Sequence, residues 1–98
     1  MIAAVLALAL QVSDPADQDL SRYGPLPREV RAFVERRASC NHFAGEFNGD
    51  RSARDREVTK AMRELRCDRL DPDEAKLQRR HAAAPKVLQA LTETRDWQ

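Results

Sequence analysis

Leu26, Val30, Phe33 and Val34 recur at helical intervals, with Cys40 two turns beyond Phe33, while Arg28, Arg31, Glu35 and Arg36 fall on the polar side. This spacing predicts an amphipathic helix. Pro27 suits its first turn, and the pattern carries it to Ala44. Gly45 is expected to end it in the left-handed conformation, and Asn48-Gly49 marks a turn in a loop that closes near Asp50 or Ser52. Ser52 followed by Asp55 has the form of a cap, after which Val58, Ala61, Met62 and Leu65 line one side of a second helix reaching about Cys67. Asp71, Pro72 and Glu74 have the chemistry of a third start, with Asp71 as cap and Leu77 as the main apolar anchor. Pro85 ends that helix and opens a fourth, with Val87, Leu88 and Leu91 facing inward. Beyond Thr92 the pattern fades, leaving Trp97 to pack back or to fray. No segment has convincing strand alternation, so the expectation is an all-α fold, a small bundle of about four helices over 26–98.

The N-terminus has a different character. Met1 to Leu10 are wholly apolar, about half the length a membrane-spanning helix needs and a fit to the hydrophobic region of a secretory signal. Ala7-Leu8-Ala9 offers a small-x-small cleavage pattern, and the chain turns polar at Gln11, Ser13 and Asp14. No Lys or Arg precedes the run, which fits a truncated basic end. Residues 1–10 are therefore expected to be a signal-like segment, truncated or cleaved, and 11–25 a flexible polar lead-in broken by Pro15, Gly24 and Pro25. The expected destination is the periplasm or the medium, with no stable membrane span after processing. An apolar helix packed on the domain is the alternative.

Composition makes that destination matter. The chain has 98 residues, of which 34% are charged and 5% aromatic. The apolar area available to a domain of about seventy residues is small, and such domains commonly need a staple. In an oxidising compartment two cysteines allow one intramolecular bridge, Cys40 to Cys67. Their spacing lacks the close pair of a zinc site. Closing a loop of this length stabilises a fold by about 3 to 4 kcal/mol in the chain-entropy model. Both cysteines are expected near helix C-termini that converge. A reactive thiol beside His42 is the rival reading, and it needs reduction and a third orienting group that the sequence does not identify.

Charge narrows the function classes. The formal net charge is +1, and fourteen arginines against three lysines alternate with acidic residues through Asp50 to Asp68. No long basic stripe forms, so nucleic acid is not an expected partner; a solvated mixed-charge face accounts for the arginines. Asp50 to Glu57 lacks the spacing and glycine of a calcium loop. With no nucleophile-like serine, phosphate loop or identifiable carboxylate pair, no enzyme and no cofactor are expected.

His42 is the most suggestive position. Glu46 lies four residues on and Glu35 two turns back, so His42 and Glu46, with Glu35 or Asp50, make an alternative metal site. Against it, Gly45 is expected to end the helix between His42 and Glu46, and a histidine near a helix C-terminus commonly bonds terminal carbonyls. Arg79, Arg80 and His81 likewise suit a last turn. The favoured reading is an interaction surface of His42, Phe43, Glu46 and Phe47 that meets a protein partner in the cell envelope. In the rival reading both phenylalanines close the small core under the loop.

The segment Cys40-Asn41-His42-Phe43-Ala44-Gly45-Glu46, the Asp- and Arg-rich loop after it, a helix ending at Cys67, and Leu77-Gln78-Arg79-Arg80 followed by Pro85 together resemble an uncharacterised family of small exported proteobacterial proteins. The resemblance spans roughly 27 to 91. It implies export and paired cysteines, and it assigns no activity.

Overall fold

A computed structural model describes residues 18–98; the signal-like run 1–10 and the first part of the polar lead-in, 11–17, lie outside the described residues. The fold is all-α. A 3-10 turn, Leu20–Tyr23, precedes four helices: α1 Arg28–Glu46, α2 Ala53–Glu64, α3 Leu70–Arg80 and α4 Pro85–Glu93, with a second 3-10 turn, Cys67–Arg69, leading into α3. Among the described residues there is no strand, and no helix is long and apolar enough to cross a membrane.

The main core is built where the apolar stripe of α1 (Val30, Phe33, Val34) meets Leu77 of α3 and Val87, Ala90 and Leu91 of α4. Val30, Val34, Ala90 and Leu91 are fully buried, and burying the valine and leucine side chains stabilises the fold by about 1.5 to 3 kcal/mol each. The C-terminal part of the expected lead-in belongs to this core. Tyr23 is 3% exposed and its hydroxyl donates to Glu93 at 2.9 Å. Burial, reinforced by the Glu93 carboxylate, raises the Tyr23 pKa, so the phenol stays protonated and keeps donating. The domain thus begins before Leu26. α2 packs on α1 through Val58, which is also fully buried.

The expected disulfide is present: Cys40 and Cys67 are bridged, with their Cα atoms 5.7 Å apart. Its setting differs from expectation. Cys40 lies within α1, six residues before its end, and Cys67 lies beyond α2 at the start of a 3-10 turn, so the bridge joins a helix flank to a turn.

Three helix boundaries also differ from expectation. α1 continues through Gly45 to Glu46, where His42 and Glu46 pair one turn apart; the left-handed glycine is Gly49, at φ 74°. α2 stops at Glu64 and the chain turns through Arg66, at φ 56°. α3 begins at Leu70, so Asp71 is inside its first turn rather than its cap, and Glu74 turns to Arg37 and Arg95. Other expectations hold: Ser52 caps α2 by accepting from the Asp55 amide at 3.1 Å, and Pro85 opens α4.

Candidate functional site

Because α1 runs unbroken to Glu46, His42 and Glu46 share one face and His42 Nε2 stands 3.1 Å from Glu46 Oε2. The other Glu46 oxygen is bound by Arg54 of α2, which also pairs with Glu57. Glu46 therefore ties the end of α1 to the first turn of α2, and the helix break expected at Gly45 does not separate it from His42. Neither Glu35 nor Asp50 completes a ligand set, since among the described residues no three His, Cys, Asp or Glu side chains come together as a metal-holding group. Asp50 instead accepts from the Ser52 amide at 3.0 Å, and this local bonding holds its carboxyl below the usual range.

The His42 imidazole is 53% exposed and meets the half-buried Phe43 ring edge-on, with centroids 5.3 Å apart. Both line an open groove of about 1090 Å³. Its floor is the α1 face carrying Val34, Glu35, Ala38 and Ser39; Leu20 and Trp97 stand at its sides. Ala38 and Ser39 are small, so an incoming group can approach the helix backbone closely here. Glu35 thus shares a groove with His42 without sharing a ligand set.

Phe47 is placed differently. It leaves α1 in an extended conformation, is 50% exposed, and lines a separate cleft of about 560 Å³ with Arg51, Asp55, Arg56 and Thr59. The four expected surface residues consequently divide: His42 and Phe43 face the groove, Phe47 faces the second cleft, and Glu46 is bonded at the junction of α1 and α2. Phe47 does not close the core, whereas Phe43 is partly covered.

Two residues of this site were not among the expected site residues. Trp97, for which packing back and fraying were both open, packs against the core as the groove's side. It is held by Asn41, whose side-chain amide donates to the Trp97 carbonyl at 2.8 Å and to the Arg95 carbonyl at 2.9 Å. An asparagine one place after a core cysteine has no periodicity to announce such a role. The basic cluster also has a more specific use than last-turn placement: Arg80 and His81 both bind Glu29, joining the end of α3 to the start of α1.

No family model, curated protein or solved structure matches this chain.

Proposed function

We propose that the protein is a small exported interaction or accessory protein of the cell envelope, without enzymatic activity, that receives a protein partner at Phe47 with its cleft and at the groove lined by His42 and Phe43. The observation that carries this reading is Phe47, the large hydrophobic side chain left exposed among the described residues, at 50%. A half-exposed phenylalanine loses hydrophobic stabilisation that a partner's apolar surface restores. The groove beside Phe43 and Trp97 extends the available apolar area. The closed Cys40–Cys67 bridge supports export, because such bonds persist in oxidising compartments.

Metal binding by His42 and Glu46 is the second reading. Their 3.1 Å pairing favours it, but Arg54 competes for Glu46, and a cation beside the carboxylate opposes a second cation there.

The test is capture of envelope proteins by the purified chain and by a Phe47→Ser variant, with helicity followed by circular dichroism. Loss of a discrete partner at unchanged helicity is expected. Equal capture by both chains would remove the surface from consideration, and site-dependent binding of zinc or copper at micromolar concentration would favour the second reading.

A further inference from the structure

Arg36 reaches from α1 to the end of α2, where its Nε donates to the Leu65 carbonyl at 2.7 Å and its Nη2 to the Arg66 carbonyl at 3.1 Å and to Asp73 at 2.7 Å. Its Nη1 makes no hydrogen bond among the described residues. This guanidinium is thereby fixed in place with one donor pair free, at the wall of an open cleft of about 610 Å³. Arg66, Arg69 and Lys76 line the same cleft, against the carboxylates of Asp73 and Glu64. Four cations thus face two anions, and Asp73 is already bonded to Arg36. Arg66, Arg69 and Lys76 are exposed and take part in no ion pair among the described residues.

Beyond the field of Arg69 and Lys76 on Asp73, none of these three charges has a paired carboxylate among the described residues. Arg66 occupies the left-handed region at φ 56°, just past the cap of α2, where glycine is the unstrained choice. Arg69 precedes the first turn of α3, where the helix dipole disfavours a cation. Their fields do converge: the Asp73 carboxyl is held below its usual range first by the Arg36 hydrogen bond, and the charges of Arg36, Arg69 and Lys76 act in the same sense. Because the four cations come from α1, the turn after α2 and α3, they approach an occupant from several sides. That arrangement suits a tetrahedral oxyanion better than a planar carboxylate, and the excess of two positive charges in the cleft can neutralise either a phosphodiester monoanion or a phosphate dianion.

We propose that the cleft between Arg36, Arg66, Arg69 and Lys76 binds a phosphate group, with Arg36 Nη1 as the fixed donor and the other three closing around it. The group is either free phosphate or the phosphate of an anionic lipid headgroup, and the test separates them. Inorganic phosphate is titrated calorimetrically into the purified chain at low ionic strength, and the chain is floated with phosphatidylglycerol and with phosphatidylcholine vesicles. The same is done with Arg66→Gly and with the Arg69→Ala/Lys76→Ala double variant. Arg66→Gly relieves a strained position, so it is expected to unfold no earlier than the parent chain while binding about tenfold more weakly, the loss appropriate to one charge-assisted hydrogen bond. Weakened calorimetric binding in both variants identifies free phosphate. Weakened flotation with phosphatidylglycerol alone identifies the headgroup. If the parent binds neither probe, or both variants bind as the parent does, the proposal is wrong.

Discussion

Arg37 of α1 and Glu74 of α3 form an ion pair of 3.1 Å from which water is nearly excluded, their side chains being 6% and 12% exposed. Arg37 Nη2 also donates to the Leu91 carbonyl at 2.6 Å and to Thr94 Oγ1 at 3.0 Å, so one guanidinium joins α1 to both α3 and the end of α4. Burial lowers the Arg37 pKa and Glu74 opposes that shift. The two partners are unequally replaceable: Glu74 also has Arg95, at 3.0 Å, whereas Arg37 has no other carboxylate among its partners. Glu74→Ala should therefore cost about 3 to 5 kcal/mol in urea unfolding, the penalty of a buried charge left alone. Arg37→Met, which fills the buried position with an apolar stem although it gives up the guanidinium's place over the Phe33 ring at 5.0 Å, should cost less. The reverse order would show that burial of the charge is not the controlling effect.

That pair also explains where sequence reading stops. Val30, Phe33, Val34 and Cys40 announce the buried stripe of α1, and position 37 falls on the same stripe; its occupant is an arginine, a residue type whose ordinary place is the surface. Only the three-dimensional arrangement supplies the Glu74, Leu91 and Thr94 groups that make its burial tolerable. The same limit applies at Gly45, where the glycine predicts a helix end but the helix runs two residues further than Ala44, to Glu46, which is bonded to His42 and Arg54. Ser52, Pro85 and the apolar anchors were legible because caps, ring constraints and periodicity are local. The groove was not, because Leu20, Ala38 and Trp97 are brought together from distant parts of the chain.

Reduction of the bridge should be costly in so small a domain. Cys40 and Cys67 are separated by 27 positions, and constraint of the unfolded chain by such a loop corresponds to about 3 to 4 kcal/mol. At about 4 to 8 °C per kcal/mol for a domain of this size, reduced protein is expected to melt more than about 12 °C below oxidised protein. Thermal unfolding with and without reductant checks this. A shift of only a degree or two would mean that the reduced, unfolded chain retains structure that already brings these segments together.

Acid should loosen the contact between α1 and the end of α3. Glu29 is held below its usual carboxyl value of 4.5 first by its bond to His81, with Arg80 acting in the same sense. A carboxylate whose pKa is depressed by folding contributes stability that is complete above the unfolded value and is lost as pH falls through the folded value. Asp73 and Glu93 are shifted in the same direction by Arg36 and by Gln89 with Tyr23, respectively. The melting temperature should thus decline from about pH 4.5 downward, and Glu29→Gln should make the decline shallower. Parallel curves for the two chains would assign the acid sensitivity to the other carboxylates.

Asp55 controls the loop that presents Phe47. The residue is 3% exposed, and its carboxylate accepts from the Asn48 amide at 2.9 Å on one oxygen and from the Asp50 amide at 2.8 Å on the other. An asparagine there has the right size but sets its own NH2 against one of those two donors, leaving a backbone N–H without an acceptor at a cost of about 1 to 3 kcal/mol. Asp55→Asn should accordingly speed hydrogen exchange at Asn48 or Asp50, while amides of α3 and α4 keep their protection. Because Phe47 immediately precedes the released segment, partner capture should fall although no contact residue has changed. Faster exchange with undiminished capture would separate the rigidity of the loop from recognition, and unchanged exchange would mean that Glu46 and Arg54 suffice to hold it.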